Sequence, residues 1–431
     1  MSFGIPVRNG LGLGLTPSTA LSTLRVGGRP ALLLNFVGTT SLDSRITFTR
    51  ASTATFVGSN GLIQSAAINA PRFDYDPVTL AAKGLLIEEQ RTNLVTYSEQ
   101  FNDASWTKTN ATITANATTS PDGTTNADTL VENTALGTHD VRRNISASAS
   151  TAYTQSIFLK AAGRTRGQMQ MFGNGGGTTV TFNLTTVTAT AAGAYGGWTG
   201  ASATITNYGN GWYRITSTAT TNVGLTVLTY ATFLENAAGS ASYTGDGVSG
   251  MHFYGAQLEA GAFATSYIPT VASQVTRSAD VATMTGTNFS SWYNQNAGTM
   301  LCNFILEGQT AGGGVSDVWN IKAVATPNNN FIRLREGTVI SGADIEMFTG
   351  GAFQVDSNSF ATPVNTRLRS AFAWSTTSFN LTANGGSLGD GGAITPPSVN
   401  QLVLTGSNKW LQQIAFYNTR LPNATLQALT A

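Results

Sequence analysis

The sequence predicts an all-β protein built from tandem antiparallel β-sandwiches, and three observations carry that reading. Short stretches of alternating or continuous apolar residues recur between Gly, Asn, Asp and Pro turns, and no segment has the length and period of a long helix. Charged residues make up only 10% of the chain, against about 25% in ordinary globular domains, and Thr, Ala, Gly, Ser and Asn fill the gap. Hydrophobic residues reach 41% and aromatic residues 9%, so the low charge does not signal disorder. With 431 residues the chain has room for two to three domains of roughly 150 residues.

Taken in order, residues 1–45 form an N-terminal segment that starts Gly- and Leu-rich, as in Leu11-Gly-Leu-Gly-Leu15. Within it, 31–37 (Ala-Leu-Leu-Leu-Asn-Phe-Val) reads as one buried strand, and an exposed strand of this kind is expected to dock on a partner or a second subunit. Residues 46–93 read as a compact β connector whose Ser59-Asn-Gly61 makes a hairpin turn. Residues 94–270 read as the first sandwich, with strands at 111–115, 153–160, 180–188, 211–218, 225–233 and 250–259. In 225–233, Leu225, Val227 and Phe233 define the half-buried face, and Ser120-Pro-Asp-Gly123 is a turn. Residues 271–431 read as the second sandwich, with strands at 300–306, 331–335, 370–375, 378–383, 401–405 and 411–417. Asn384-Gly-Gly386 closes a hairpin, and 423–429 forms a short helix capped by Asn423.

Several function classes are excluded or made remote. The formal net charge of +1 argues against a nucleic-acid surface, and Arg164 to Arg166 beside Lys160 reads as a solvated turn. Cys302, the only cysteine, permits no intrachain disulfide and reads as a buried structural thiol. With one Cys and two histidines, a four-ligand zinc site cannot be assembled. No apolar run approaches the roughly 18 residues of a membrane span. Gly173-Asn-Gly-Gly-Gly177 lacks the Lys-Ser/Thr of a phosphate loop and reads as a flexible turn. His252 reads as a surface or edge histidine, and His139 beside Asp140 as a general base only in principle. Of the carboxylates, Asp74 with Asp76 and Glu88 with Glu89 are the candidate hydrolytic pairs. The favoured reading instead pairs the glutamates with Arg72 and Arg91, so no enzymatic activity is expected.

Two stretches carry a family resemblance. One is 46–57 (Ile-Thr-Phe-Thr-Arg-Ala-Ser-Thr-Ala-Thr-Phe-Val) through 84–94 (Gly-Leu-Leu-Ile-Glu-Glu-Gln-Arg-Thr-Asn-Leu), with Tyr97-Ser98 and Trp106-Thr107. The other runs from Gly245-Asp-Gly247 through 255–270 (Gly-Ala-Gln-Leu-Glu-Ala-Gly-Ala-Phe-Ala-Thr-Ser-Tyr-Ile-Pro-Thr), then Arg277-Ser-Ala-Asp280 and 288–293 (Asn-Phe-Ser-Ser-Trp-Tyr). Over residues 45–295 the chain resembles bacteriophage and prophage head-spike and tail-fibre proteins. The resemblance implies a carbohydrate-binding-module-like jelly roll for 94–270. The Phe379–Gly386 hairpin and the Ile414–Leu421 ending are similar to concanavalin A-like, laminin-G-type domains. It further implies a virion protein, assembled in the host cytoplasm and exposed on the particle. Residues 1–45 would then attach it to other virion structural proteins, and fibre architecture suggests a homo-oligomer, a trimer.

The binding hypothesis rests on aromatic rings, because sugars stack C–H faces on flat rings while polar side chains hold their hydroxyls. Trp198 in Gly197-Trp-Thr-Gly200 is expected to be exposed in a turn, with Tyr208 beside it and Trp212 in the core. Trp319 and Trp410 are expected at loop or strand ends of the second sandwich, with Trp374 in its core. Carbohydrate-binding residues are therefore expected at Trp198, Tyr208, Trp319 and Trp410. A structural calcium is the one cofactor kept open, with Asp246 supplying a carboxylate. The expected function is adsorption to host cell-surface polysaccharide. A ligand-free capsid decoration or fibre shaft and a polysaccharide depolymerase are the alternatives.

Overall fold

Tight turns set the architecture, and their geometry follows from residues that tolerate positive φ. Asn174 and Gly175 (φ 46° and 73°) join strands Arg166–Gly173 and Gly176–Asn183 in a two-residue hairpin, so the glycine run is a turn, as expected. Asn384 and Gly385 (φ 46° and 81°) do the same between Phe379–Ala383 and Gly386–Gly391. Gly61 (φ 77°) turns the hairpin of Ala54–Val57 with Ile63–Ala66.

The computed structural model describes residues 28–308, 316–336, 342–356, 360–406 and 408–431. The protein is nearly all β and forms two antiparallel sandwiches. Among the described residues, the first sandwich has two six-stranded sheets. One runs Thr199–Asn207, Tyr213–Thr220, Ala152–Ala162, Gly250–Ala260, Ala127–Glu132, Ala111–Thr118. The other runs Thr188–Tyr195, Gly176–Asn183, Arg166–Gly173, Val227–Glu235, Asp140–Ser146, Thr107–Thr109. Leu130, Ile157, Leu159, Met169, Met171, Val180, Tyr230 and Leu258 fill the space between them. In Val227–Glu235 the core-facing residues are Leu228, Tyr230 and Leu234. The expected face is met in part: Val227 is exposed, Leu225, just outside the strand, joins this core, and Phe233 is buried outside the cluster with Arg142 over its ring.

The second sandwich is discontinuous in sequence. One of its eight-stranded sheets orders Gly386–Gly391, Phe379–Ala383, Arg367–Ser375, Ala297–Leu306, Lys409–Tyr417, Ala82–Ile87 and Arg72–Tyr75, with Leu32–Asn35 also on Lys409–Tyr417. The facing sheet starts with Thr47–Thr49 against Val281–Thr285 and continues through Gln401–Leu404, Ser316–Lys322, Phe331–Glu336 and Gly342–Thr349. Leu32, Leu34, Phe48, Phe73, Leu85 and Ile87 therefore share one core with Cys302, Trp319 and Trp374. This replaces the separate connector at 46–93. Strand Leu32–Asn35 pairs within its own chain, Leu32 opposite Phe416. Of the expected attachment segment, residues 1–27, including the Leu11–Leu15 stretch, lie outside the described residues.

The first sandwich is thus an insertion in the second. Its entry and exit strands, Arg91–Asn93 and Val275–Arg277, pair antiparallel as a stem. Asn423 opens the C-terminal helix Asn423–Thr430 as its first residue, with Pro422 at the cap position and no side-chain cap bond. Its amide serves Arg420 and Asp390 instead (2.8 and 3.0 Å).

Candidate functional site

Around the stem the chain buries a lattice of charges. Arg50, Arg72 and Arg277 and the carboxylates of Glu88 and Asp280 have essentially no solvent exposure. Arg72 bridges Glu88 and Asp280, Arg50 reaches Asp280 Oδ1 at 3.0 Å, and Arg277 reaches Glu88 Oε2 at 2.9 Å. Ser266 donates to Glu88 from its backbone N–H (2.7 Å) and its hydroxyl (2.6 Å). Burial opposes ionisation of Glu88, but Arg277 and Arg72 outweigh it and hold the carboxyl at about 2. Such a lattice fixes geometry more than it adds stability, since desolvation offsets most of the attraction. Four stretches of the family resemblance contribute to it, through Arg50 of 46–57, Glu88 of 84–94, Ser266 of 255–270, and Arg277 and Asp280 of 277–280. Those long runs are read here as a joint between modules.

The candidate catalytic groups all have structural partners. Glu88 pairs with Arg72 and Glu89 with Arg91, as the sequence suggested. Asp74 accepts from the Val57 N–H (2.7 Å) and Trp410 Nε1 (2.8 Å), and Asp76 accepts from the N–H groups of Val78 and Thr79 in a turn. His139 is buried, with Nδ1 2.8 Å from the carbonyl of Asn110 and Nε2 3.2 Å from that of Tyr243, while Asp140 turns to Arg142. His252 lies on a central strand, half-buried, with Nδ1 2.7 Å from Thr129 Oγ1. The basic turn is paired as well: Arg164 with Glu132, Arg166 with Glu235 at 3.7 Å.

The aromatic residues separate into two groups. Trp198 is 3% exposed and sits in the first core, because Gly175, Gly176 and Gly196 fold tightly and turn the ring inward. Trp319 is 1% exposed in the second core. Neither offers a face to a sugar, which corrects both expectations. Tyr208 and Trp410, by contrast, come together from different sandwiches on one small pocket of about 60 Å³. Tyr208 packs edge-on against Phe158 (4.8 Å), and Lys83 sits over the Trp410 ring (4.2 Å). Asp74, Glu307 and Arg214 share the pocket. Its volume suits one or two waters and is too small for a sugar ring. Tyr208 and Trp410 therefore belong to the joint.

Asp246 makes an Asx-type turn. Its Oδ1 accepts from the N–H groups of Val248 (2.9 Å) and Ser249 (2.6 Å), and its Oδ2 from Ser249 Oγ (2.6 Å), with Arg164 at 3.4 Å. The Ser249 and Val248 bonds hold its carboxyl far below the usual range. No cluster of three or more His, Cys, Asp or Glu suited to a metal occurs among the described residues. With its oxygens already engaged, Asp246 does not fit the expected calcium site.

The cavity that does fit a small ligand lies beside the stem. It encloses about 640 Å³ between strand Arg91–Asn93, the end of Asp140–Ser146 and residues 260–262. Arg91 and Glu89 line it as an ion pair, and Phe263 supports the guanidinium at 5.0 Å. Gly261 gives that guanidinium room, because a Cβ there would collide with it. Ser146 and Ser148 add exposed hydroxyls, and the Ser148 N–H donates to the Tyr153 hydroxyl at 2.8 Å. Leu94 and Ala147 supply apolar surface. Sequence reasoning missed this site since its three segments are far apart in the chain. Only the Glu89–Arg91 pairing hinted at it.

No family model matches the chain. No curated protein matches it either. Among solved structures, the chain is similar to Ruminococcus gnavus IT-sialidase CBM40 bound to alpha2,3 sialyllactose, with 14% identity over 32% of this chain and 84% of that chain, TM-score 0.28. It is also similar to domain 4 of AbnA, a GH43 extracellular arabinanase from Geobacillus stearothermophilus, in complex with arabinotriose, with 11% identity over 40% and 81%, TM-score 0.30. A third is the native heptameric SAP-like pentraxin from Limulus polyphemus, with 7% identity over 32% and 70%, TM-score 0.25. At these scores and identities the function has to be read from this chain's own side chains.

Proposed function

We propose that this protein is a non-enzymatic, glycan-binding virion surface protein, a head spike or tail fibre, whose inserted sandwich engages host cell-surface polysaccharide at the stem cleft. The observation that carries the binding reading is the cleft itself. Its volume lies within the roughly 300–1,000 Å³ of small-ligand sites. Its lining combines what a saccharide needs: a fixed carboxylate–guanidinium pair, free hydroxyls and small apolar surfaces for C–H faces. Arg91 is held before any ligand arrives, which lowers the ordering cost of binding. The virion setting rests on the sequence resemblance over 45–295. Display of several copies, a trimer in this reading, would raise avidity through effective concentration.

The test blocks the cleft without touching the lattice. Ser146 is exposed at a strand end, so Ser146→Trp fills the cavity at little folding cost. Native protein is expected to bind host cells and to lose binding when surface glycan is stripped, and Ser146→Trp to bind at least about tenfold more weakly. Equal binding to stripped and intact cells would favour the ligand-free structural role. Release of reducing ends from polysaccharide would favour the depolymerase.

A further inference from the structure

A second open groove lies on the other sandwich, well outside the stem. It encloses about 620 Å³ and is formed where strand Val281–Thr285 runs into the one-turn helix Thr287–Ser290, facing Val324 and residues 399–400. Its chemistry differs from that of the stem cleft in one decisive respect: no Asp, Glu, Lys or Arg lines it among the described residues. What lines it is hydroxyl, amide, aromatic and, at Val324 and Val399, aliphatic. Thr285, Thr287 and Ser290 are exposed. Asn400 is fixed by accepting the Val324 N–H on its Oδ1 (2.9 Å), which leaves its NH₂ directed by that bond. Tyr293 stacks on Phe289 (4.7 Å, 29°) and lies 5.5 Å from Phe416, so its ring is immobilised. Its hydroxyl is buried with no hydrogen-bond partner among the described residues. A buried, unpartnered hydroxyl costs free energy until a water or ligand satisfies it.

We propose that this groove is a second binding site, for an uncharged saccharide unit. The inference rests on the glycan-binding reading but adds a site and a substrate class to it. A charged ligand would have to leave water with no counter-charge to meet it. A neutral, hydroxyl-rich ring finds donors and acceptors on the rim, an oriented amide, and the half-buried Tyr293 below, with Phe289 buried behind it as its support.

The full chain is applied to an array of neutral gluco-, galacto- and manno-oligosaccharides beside sialylated ones. Native protein is expected to bind at least one neutral series, and Ser290→Trp, which fills the groove, to weaken that binding more than about tenfold. Asn400→Asp keeps the acceptor for Val324 and replaces the donor with a charge, so it is expected to weaken the same series with an unchanged melting temperature. Ser146→Trp is expected to leave the neutral series intact. Absence of neutral binding, or neutral binding that survives both groove variants, overturns the proposal. Neutral binding lost only in Ser146→Trp also overturns it, while leaving the stem cleft as the binding site. Binding lost in the groove variants and untouched by Ser146→Trp for every glycan supports the groove and removes the cleft.

Discussion

Glu307 places its carboxyl in the small pocket shared by the two sandwiches, with Asp74, Lys83 and Arg214 around it. Burial, then the charges of Glu88 and Asp74, raise its pKa to about 8, against the opposing pull of Lys83 and Arg214. The folded state therefore holds a proton on Glu307 between the ordinary value of 4.5 and about 8, where the unfolded chain has released it. Stability falls as pH rises through that window and levels off above it. Glu88 has the opposite sign: its contribution is present above 4.5 and lost as pH falls towards about 2. Glu307→Gln removes the first effect alone. Its urea midpoint is expected to exceed that of native protein at about pH 9 and to converge with it near about pH 5. A difference independent of pH would show that Glu307 does not titrate in this window. Trp198 makes a contrasting case. With its ring 3% exposed in the first core, Trp198→Ala is expected to cost about 3–5 kcal/mol of stability. Glycan affinity per folded molecule should not change, and paired denaturation and binding measurements separate the two effects.

At the scale of elements, the strands legible in the sequence are those with strong apolar periodicity between clear turns. Ala152–Ala162, Gly250–Ala260, Ala297–Leu306 and Lys409–Tyr417 all fall where alternation or a continuous apolar run marks them. Thr188–Tyr195 and Thr199–Asn207 were missed because they are edge strands with mostly exposed Thr, Ala and Ser, so no buried face imposes a pattern. The expected strand at 180–188 merged two arms of a hairpin, since Val187 supplies the positive φ (53°) that sequence assigns to Gly or Asn. Pairing partners were less legible still. Nothing local in Leu32–Asn35 says that it lies on Lys409–Tyr417, and Gly84 matters only through that sheet. A Cβ at Gly84 would strike the carbonyl of Leu411, so glycine lets Ala82–Ile87 approach it. The site followed the same rule. Its ion pair was legible as neighbours in sequence, whereas the tryptophans were misplaced because a turn sequence does not say which way a large ring points.

The whole molecule is one sandwich carrying another in a loop, and this changes what a truncation means. Removing 271–431 would strip the strands of 32–87 of their partners and leave half a core exposed, so it cannot test the first sandwich alone. The stem suggests the informative cut. Asn93 faces Val275 as an antiparallel pair, so residues 94–274 can be replaced by a two-residue Asn-Gly turn that closes the stem as a hairpin. The second sandwich keeps its own core, including Leu85, Ile87, Trp319 and Trp374. It loses the two Ser266 donors on Glu88, and hydrogen bonds to a charged group contribute about 1.5–3 kcal/mol each. It also uncovers Ile63, which packs with Phe158, Trp212, Tyr254 and Tyr267 of the insert. The shortened protein is therefore expected to unfold cooperatively at a lower temperature than the full chain, to lose binding at the stem cleft, and to keep neutral-glycan binding at its groove. Calorimetry with array binding checks both halves. A chain that never folds would mean that the buried lattice needs the insert to form, which would make the two sandwiches one cooperative unit joined through Arg72, Glu88 and Ser266.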